Sequence, residues 1–455
     1  MERRYDARKR EILEETKLAP QVTRRMLNRL IEFSKPFIST LGRVEIRNHA
    51  HEYLQGMMSD LKRKNVESIA YQHDQDRQGL QRFVGVADWD HVPMVDILVD
   101  QIGQTLGEED GVIIFDPSGF QKWGSDSVGV KRQWLGRLGK VDNGQVGIYM
   151  GYATRVECAL ADARLYLPKD WAHNKARRTK AGVPKRIRYQ TRHQLALAML
   201  ELHGSQLPHR WITGDDEMGR PAHFRCELQR LGEQYLLAVP SNTSVRDMDS
   251  APPEYSGRGR HPKQPFQQVR HWGEAQPSEA WSRIDVRSGE KGPLILELMT
   301  TRVLAQAHRS RQDAGEELLI VTRYKDSAGK FKYDYYVSNA DPNTPLKELS
   351  RVIITEHRIE ELFRRAKGEA GLADYQVRKW GGWHHHQTLS MIALWFLTLE
   401  MLRGKKIYTR SNRSGNTRSD RVSITPILRS PSSGLGRPLH REKKYTSRIG
   451  SFLSL

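Results

Sequence analysis

Val112-Ile113-Ile114-Phe115 is an unbroken apolar run that ends on a carboxylate, Asp116. A strand that is apolar at every position has no solvent face, so it belongs inside a sheet covered by helices on both sides. Trp211-Ile212-Thr213 repeats the pattern and leads through Gly214 into Asp215, Asp216 and Glu217. A carboxylate at the end of a buried strand is costly unless it is paired or holds a cation, although Asp is also a favoured turn and helix-capping residue. Further strand-like runs at Val146–Met150, Ala163–Leu167 and Gln234–Val239, with a helical pattern over His193–Leu202, complete an α/β domain.

A third acid comes from His357-Arg358-Ile359-Glu360-Glu361-Leu362, part of a helical pattern from Pro345 to Lys367 that Gly368 and Gly371 close. Glu360 and Glu361 point about 100° apart on a helix, so one of them can face a given site. Glu360 shares its face with Glu356, Arg364 and Lys367. Two strand-end aspartates and a helical glutamate form an oxygen-rich set suited to Mg²⁺, with two ions arranged for in-line phosphoryl transfer. The other reading of the helix is an amphipathic surface element laced with ion pairs.

Before this domain the spacing is helical, with Met26, Leu27, Leu30, Ile31 and Phe33 in one run and Tyr53, Leu54, Met57, Met58 and Leu61 in another; Lys62, Arg63 and Lys64 are expected to close that second helix. The stretch from Ser241 to Gln276, rich in Pro, Gly and Ser, predicts a long exposed loop. Leu318–Thr322 and Tyr333–Val337 then read as strands around a DSAGK turn, so residues 241–345 are expected to be a β-rich insertion. A second helix is predicted over Leu389–Leu402.

The chain has 455 residues and a formal net charge of +19, which favours a polyanionic partner and makes nucleic acid the first to consider. Arg403 to Leu455 carries 13 Lys or Arg against Asp420 and Glu442 and predicts a disordered tail, either contacting DNA or merely solvated. Between Lys175 and Arg192 there are cations (Lys175, Arg177, Arg178, Lys180, Lys185, Arg186, Arg188) and no acid, the pattern of a phosphate-contacting loop or of a solvated charge run. His384, His385 and His386 are consecutive, so their rings cannot all converge on one metal. Trp380 and Trp383 could stack on an unpaired base or fill the core. Two cysteines, Cys158 and Cys226, fit a reducing cytoplasm, and the charged first residues do not resemble a secretory signal.

FDPSGFQKWGSDSVGVKRQWLGRLGKVDNGQVGIY, Phe115 to Tyr149, resembles the first-aspartate block of the DDE transposases with a ribonuclease H-like core, and within them the insertion-sequence family numbered seven hundred and one. LYLPKDW and the basic stretch after it, GDDEMGR from Gly214, and IEELFRRAKGEAGLADYQVRKWGGWHHH are similar to the family's later blocks, so that the likeness covers roughly residues 45 to 400. Related transposases with a Tyr-Arg-Glu-Lys signature have tyrosine and arginine where this chain has Ile353 and Glu356.

The resemblance implies a ribonuclease H-like mixed five-stranded sheet with flanking helices, whose first and fourth strands are neighbours. Asp116, Asp215 and Glu360 would be catalytic and metal-binding, and Lys367 would meet phosphate beside Arg364. The implied organisation is a helical DNA-binding domain over residues 1–100, a catalytic domain over 105–402 interrupted at 241–345 by the insertion that contacts the transposon end, and a basic tail over 403–455. The implied function is a cytoplasmic, nucleoid-associated bacterial transposase. It acts on double-stranded DNA, both transposon ends and target, as a homodimer with Mg²⁺, Mn²⁺ substituting, and no membrane partner. A metal-dependent nuclease without strand transfer and an inactive DNA-binding regulator are the alternatives.

Overall fold

The structure, a computed structural model, describes residues 20–289, 292–306, 314–326 and 329–413. Helices α1 (Pro20–Ser39), α2 (Val44–Met57), α3 (Val66–Gln72), α4 (Arg77–Gly85) and α5 (Val92–Leu106) precede the first strand. Their starts are set by local chemistry: Asn65 accepts from the Ser68 amide at the head of α3, and Asp76 accepts from Gln78 at the head of α4. The basic run behaves differently from its expectation. Helix α2 ends at Met57, and Lys64 is buried with its ammonium on the Glu369 carbonyl and its amide on Asp374, so it ties this layer to the later chain rather than facing phosphate.

The sheet comprises β1 (Val112–Gln121), β2 (Lys131–Leu135), β3 (Lys140–Ala153), β4 (Cys158–Leu165), β5 (Trp211–Gly214), β6 (Tyr235–Ala238), β7 (Ser244–Asp247), β8 (Gln267–Gln268), β9 (Ser282–Gly289), β10 (Gly292–Ala305), β11 (Glu316–Lys325) and β12 (Phe331–Ser338). Their order is β2-β3-β1-β5-β6-β12-β11-β10-β7-β8, with β4 also on β3 and β9 on β10. β1 runs antiparallel to β3 and parallel to β5, and β5 parallel to β6. Between strands lie α6 (Lys169–Ala172), α7 (Lys175–Lys180), α8 (Arg192–His203), α9 (Asp216–Gly219), α10 (Ala222–Arg230) and α11 (Val269–Glu274); α12 (Leu346–Glu369) and α13 (Trp380–Arg413) follow the last strand.

Four further expectations change. The stretch Ser241–Gln276, expected as a long exposed loop, carries β7, β8 and α11, with Val245, Val269 and Trp272 buried. The sheet has twelve strands rather than five, because β12 pairs with the otherwise open edge of β6 and the insertion continues one hydrogen-bonded ladder. β1 does not stop at Asp116; β3 pairs with it as far as Gln121. The last helix begins at Trp380 and runs to Arg413, so it takes in the first residues assigned to the tail, and residues 414–455 lie outside the described residues.

One apolar core runs through the amino-terminal helices, the central strands, α12 and α13, while Val245, Val269, Trp272, Leu319, Val321 and Val337 form a second within the insertion. The three consecutive histidines pin α13 into the first of these. His385 faces the Val84 and Trp89 carbonyls at 3.0 and 2.8 Å and stacks on Trp89; His386 bonds the Tyr53 hydroxyl at 2.9 Å and the Gly371 carbonyl; His384 meets the Trp380 carbonyl. Trp383 is wholly buried and donates to Tyr375, which makes it a core residue. No described helix is long and apolar enough to cross a membrane.

Candidate active site

β1 and β5 lie side by side in parallel, with Phe115 paired to Gly214, so Asp116, within β1, and Asp215, just past the end of β5, stand at the same level. Gly214 makes the close turn possible: a Cβ there would stand 2.7 Å from the Phe115 carbonyl. Asp215 then caps the short helix α9, its carboxylate accepting from the Met218 amide at 3.1 Å. On β1, side chains alternate, which places Ile114, Asp116 and Ser118 on one face. Their partners Gly151, Tyr149 and Gly147 share that face.

Helix α12 covers it. Glu348 accepts from the Trp211 indole at 2.8 Å and from Arg351, Phe363 packs edge-on against Tyr149 with ring centroids 5.0 Å apart, and Lys367 donates to the Ser118 hydroxyl at 2.9 Å. A Cβ on Gly151 would stand 3.0 Å from Ile359, so a bare backbone is what lets the helix seat closely. These contacts turn the face carrying Glu356, Glu360 and Lys367 toward Asp116, which feels the charge of all three. Glu356 is buried and Glu360 exposed. Glu361 points to solvent beside Arg364, 3.6 Å away.

The electrostatics of the cluster follow from burial and from like charge. Burial, then the charges of Glu356, Glu360 and Glu217, push Asp116 up to about 8, against the opposing Lys367 ammonium. Burial, Asp116, Glu217 and Asp216 hold Asp215 well above the usual carboxylate range, partly offset by the Met218 amide. Burial, Glu360, Asp334 and Asp216 raise Glu356 to about 8. Carboxylates so placed cannot all ionise together without a compensating cation. Their donor set is all oxygen and anionic, which fits a hard divalent ion. Among the described residues, however, no three His, Cys, Asp or Glu side chains are drawn together around a single point.

The basic segment divides on inspection. Arg178 is a strut, donating to the Ala172, Pro184 and Ile187 carbonyls, and Arg177 lies over the Trp171 ring and donates to the Ser125 carbonyl. Lys180 pairs with Asp126 at 2.9 Å. Lys175, Lys185, Arg186 and Arg188 are exposed. Arg192, at the end of the run, pairs with Glu217 at 2.5 Å and so ties this loop to the second-aspartate turn.

Sequence reasoning missed Ser118, which the period-two alternation of β1 places on the face of Asp116 once the strand is carried beyond that residue. It placed Glu356 on the helix face of Glu360 but gave it no part in the site.

The DDE superfamily endonuclease model matches residues 36–293, more than half of the chain, and the chain belongs to that superfamily. A curated relative, the probable transposase for insertion sequence element IS701 of Microchaete diplosiphon, is 31% identical over 203 residues, 43% of this chain. The match spans 50% of that relative's length. A solved structure, the cryo-EM structure of a piggyBac transposase synaptic complex with hairpin DNA, aligns over 90% of this chain and 84% of its own, with a TM-score of 0.40 and 11% identity.

Proposed function

We propose that this chain is the transposase of a bacterial insertion sequence, which binds the terminal inverted repeats and carries out metal-dependent DNA cleavage and strand transfer with Asp116, Asp215 and Glu360 as its acids. The observation that carries this reading is that Asp116 and Asp215 stand at one level on adjacent parallel strands, with the carboxylate face of α12 over Asp116. The ribonuclease H-like reading is supported by the same neighbourhood. Taking β1, β3, β4, β5 and β6 as the core, the first and fourth strands adjoin and the second is antiparallel to the first.

Asp116, Asp215 and Glu360 would hold Mg²⁺, two ions by the chemistry, with Mn²⁺ able to replace it. When bound, the ions lower the pKa of the attacking water or 3′-hydroxyl and stabilise the departing oxygen. The protein's own groups position and neutralise. Lys367, held by Ser118, keeps a cation beside Asp116 where a scissile phosphate would lie, and Arg192 balances Glu217 at the edge of the cluster. The helices before β1, the insertion and the exposed cations between Lys175 and Arg188 would carry double-stranded DNA, and a homodimer would bring two ends together.

The decisive assay supplies a pre-cleaved inverted-repeat end, a target plasmid and Mg²⁺. Joined product is expected, lost in EDTA and restored by Mg²⁺ or Mn²⁺, with Ca²⁺ supporting end binding and little cleavage. Cleavage without joining would identify a metal-dependent nuclease, and binding without cleavage an inactive regulator.

A further inference from the structure

Three separate stretches of chain meet at Asp126. The Val128 amide, in the loop between β1 and β2, donates to the Arg378 carbonyl, and the Trp380 amide donates to the Ala181 carbonyl at the end of α7, each at 2.9 Å. These bonds bring Arg177, Lys180 and Arg378 to one carboxylate. Lys180 donates to Asp126 at 2.9 Å, and Arg177 donates to the neighbouring Ser125 carbonyl at 3.1 Å. The Lys180 bond and charge, then the charges of Arg378 and Arg177, hold the Asp126 carboxyl below the usual carboxylate range.

The cations are set in place from behind. Arg177 lies over the buried Trp171 ring at 3.7 Å, and the Trp171 indole donates to the Val130 carbonyl at 2.7 Å. Lys131 and Arg177 share Asp170, at 2.9 and 3.8 Å, so Lys131, Arg177, Lys180 and Arg378 less Asp126 and Asp170 leave a surplus of two positive charges. Asp126, Lys180 and Arg378 are exposed, as is Lys379 beside them. An exposed pair such as Lys180 with Asp126 contributes little to stability, which does not account for gathering cations from separate stretches. The loop borders the acid face. Gln145 donates to the Val128 carbonyl at 2.6 Å, and alternation along β3 puts Gln145 on the side of Tyr149, the partner of Asp116. At about 3.3 Å per residue, Gln145 lies roughly 13 Å along β3 from that partner.

We propose that Arg177, Lys180 and Arg378 form a seat for a backbone phosphate of duplex DNA beside the acid face, and that Asp126 occupies the seat until the phosphate displaces it. A phosphate presents anionic oxygens to the same donors, its charge is matched by the surplus, and contacts of this kind hold DNA in register without reading its sequence. This rests on the reading of the chain as a DNA-cleaving enzyme. It adds Arg378 to the contacts and makes Asp126 a built-in competitor of the substrate.

The test measures binding by the full chain of a labelled inverted-repeat duplex and of a duplex of unrelated sequence across a range of salt. Lys180→Ala with Arg378→Ala is expected to weaken both and to flatten the slope of log affinity against log salt by about 1, the share of one phosphate. Asp126→Asn should do the opposite and tighten both about threefold, the scale of one exposed ion pair, a gain that a misfolded variant could not give. The gain should vanish when Lys180→Ala and Arg378→Ala are already present. Glu227→Gln, which frees Arg230 from an exposed pair elsewhere, is the control for net charge and should change neither affinity. Unchanged or weaker binding by Asp126→Asn, an equal gain in Glu227→Gln, or an effect confined to the inverted repeat overturns the proposal and leaves the transposase reading standing. Failure of the wild type to bind either duplex removes both.

Discussion

Glu356→Gln removes one buried charge from the acid cluster and changes little in shape. Glu356 titrates at about 8 in the fold against an ordinary 4.5, because burial and then Glu360, Asp334 and Asp216 disfavour its ionised form. An acid raised in this way binds more protons folded than unfolded, so stability falls as pH rises from about 4.5 to about 8 and is unaffected by this group below that window. At about 1.36 kcal/mol per unit, the step from pH 5 to pH 7 costs the wild type about 3 kcal/mol through this side chain alone. Glutamine is neutral in both states and loses nothing. Urea unfolding in EDTA should therefore show the variant gaining on the wild type by about that amount between pH 5 and pH 7, with any fixed cost of the amide cancelling in the difference. A gap that does not widen with pH would refute the account of Glu356 as a strained, buried carboxylate. The same variant tests the site: cleavage should survive in Glu356→Gln and vanish in Glu360→Gln, and the reverse would move the third acid to Glu356.

Asp116→Asn, Asp215→Asn and Glu360→Gln should each abolish end cleavage and spare binding of the inverted repeat in a mobility-shift assay, whereas Glu361→Gln, exposed beside Arg364, should cleave normally. Lys367→Met deletes the cation that opposes the rise of Asp116 and the bond to Ser118, and cleavage is expected to drop roughly a hundredfold with duplex affinity little changed. Truncation after Arg413 removes eight Lys or Arg with Asp420 and Glu442, so the plot of log affinity against log salt should flatten; an unchanged slope would make the tail a bystander.

The parts legible in the sequence are those set by short-range pattern. Val112–Phe115 and Trp211–Thr213 are strands because an apolar run of that length cannot end beside water, and both lie where their composition places them. The continuation of β1 through Pro117, Ser118 and Gly119 was not legible, since proline and glycine argue against a strand. It is the pairing with β3 that overrides them. The fate of the cations was equally hidden. Lys175 and Arg178 look alike in a basic run, yet one is exposed and the other is consumed by three carbonyls, a difference made by the fold of the loop rather than its composition. Trp123 carries no sequence signal that separates it from Trp383. Only the fold shows one exposed and the other buried.

The return of the chain to β6 explains how Glu360, the proposed third acid, can come from so far along the sequence and still be placed. The chain leaves β6 after Ala238 and returns on β12, where Tyr336 pairs with Ala238, Val337 with Leu237 and Ser338 with Leu236. It comes back to the point from which it left. That point is fixed: Ser338 donates to the Tyr235 carbonyl at 2.5 Å, and Asn339 accepts from the Tyr235 amide and donates to the Glu233 carbonyl, each at 2.8 Å. Whatever the length of chain between Val239 and Tyr335, α12 therefore starts from the same side of the sheet, and its contacts with Trp211 at one end and Ser118 at the other set its direction. A change in the length of the segment between Val239 and Tyr335 is therefore expected to leave Glu360 in place.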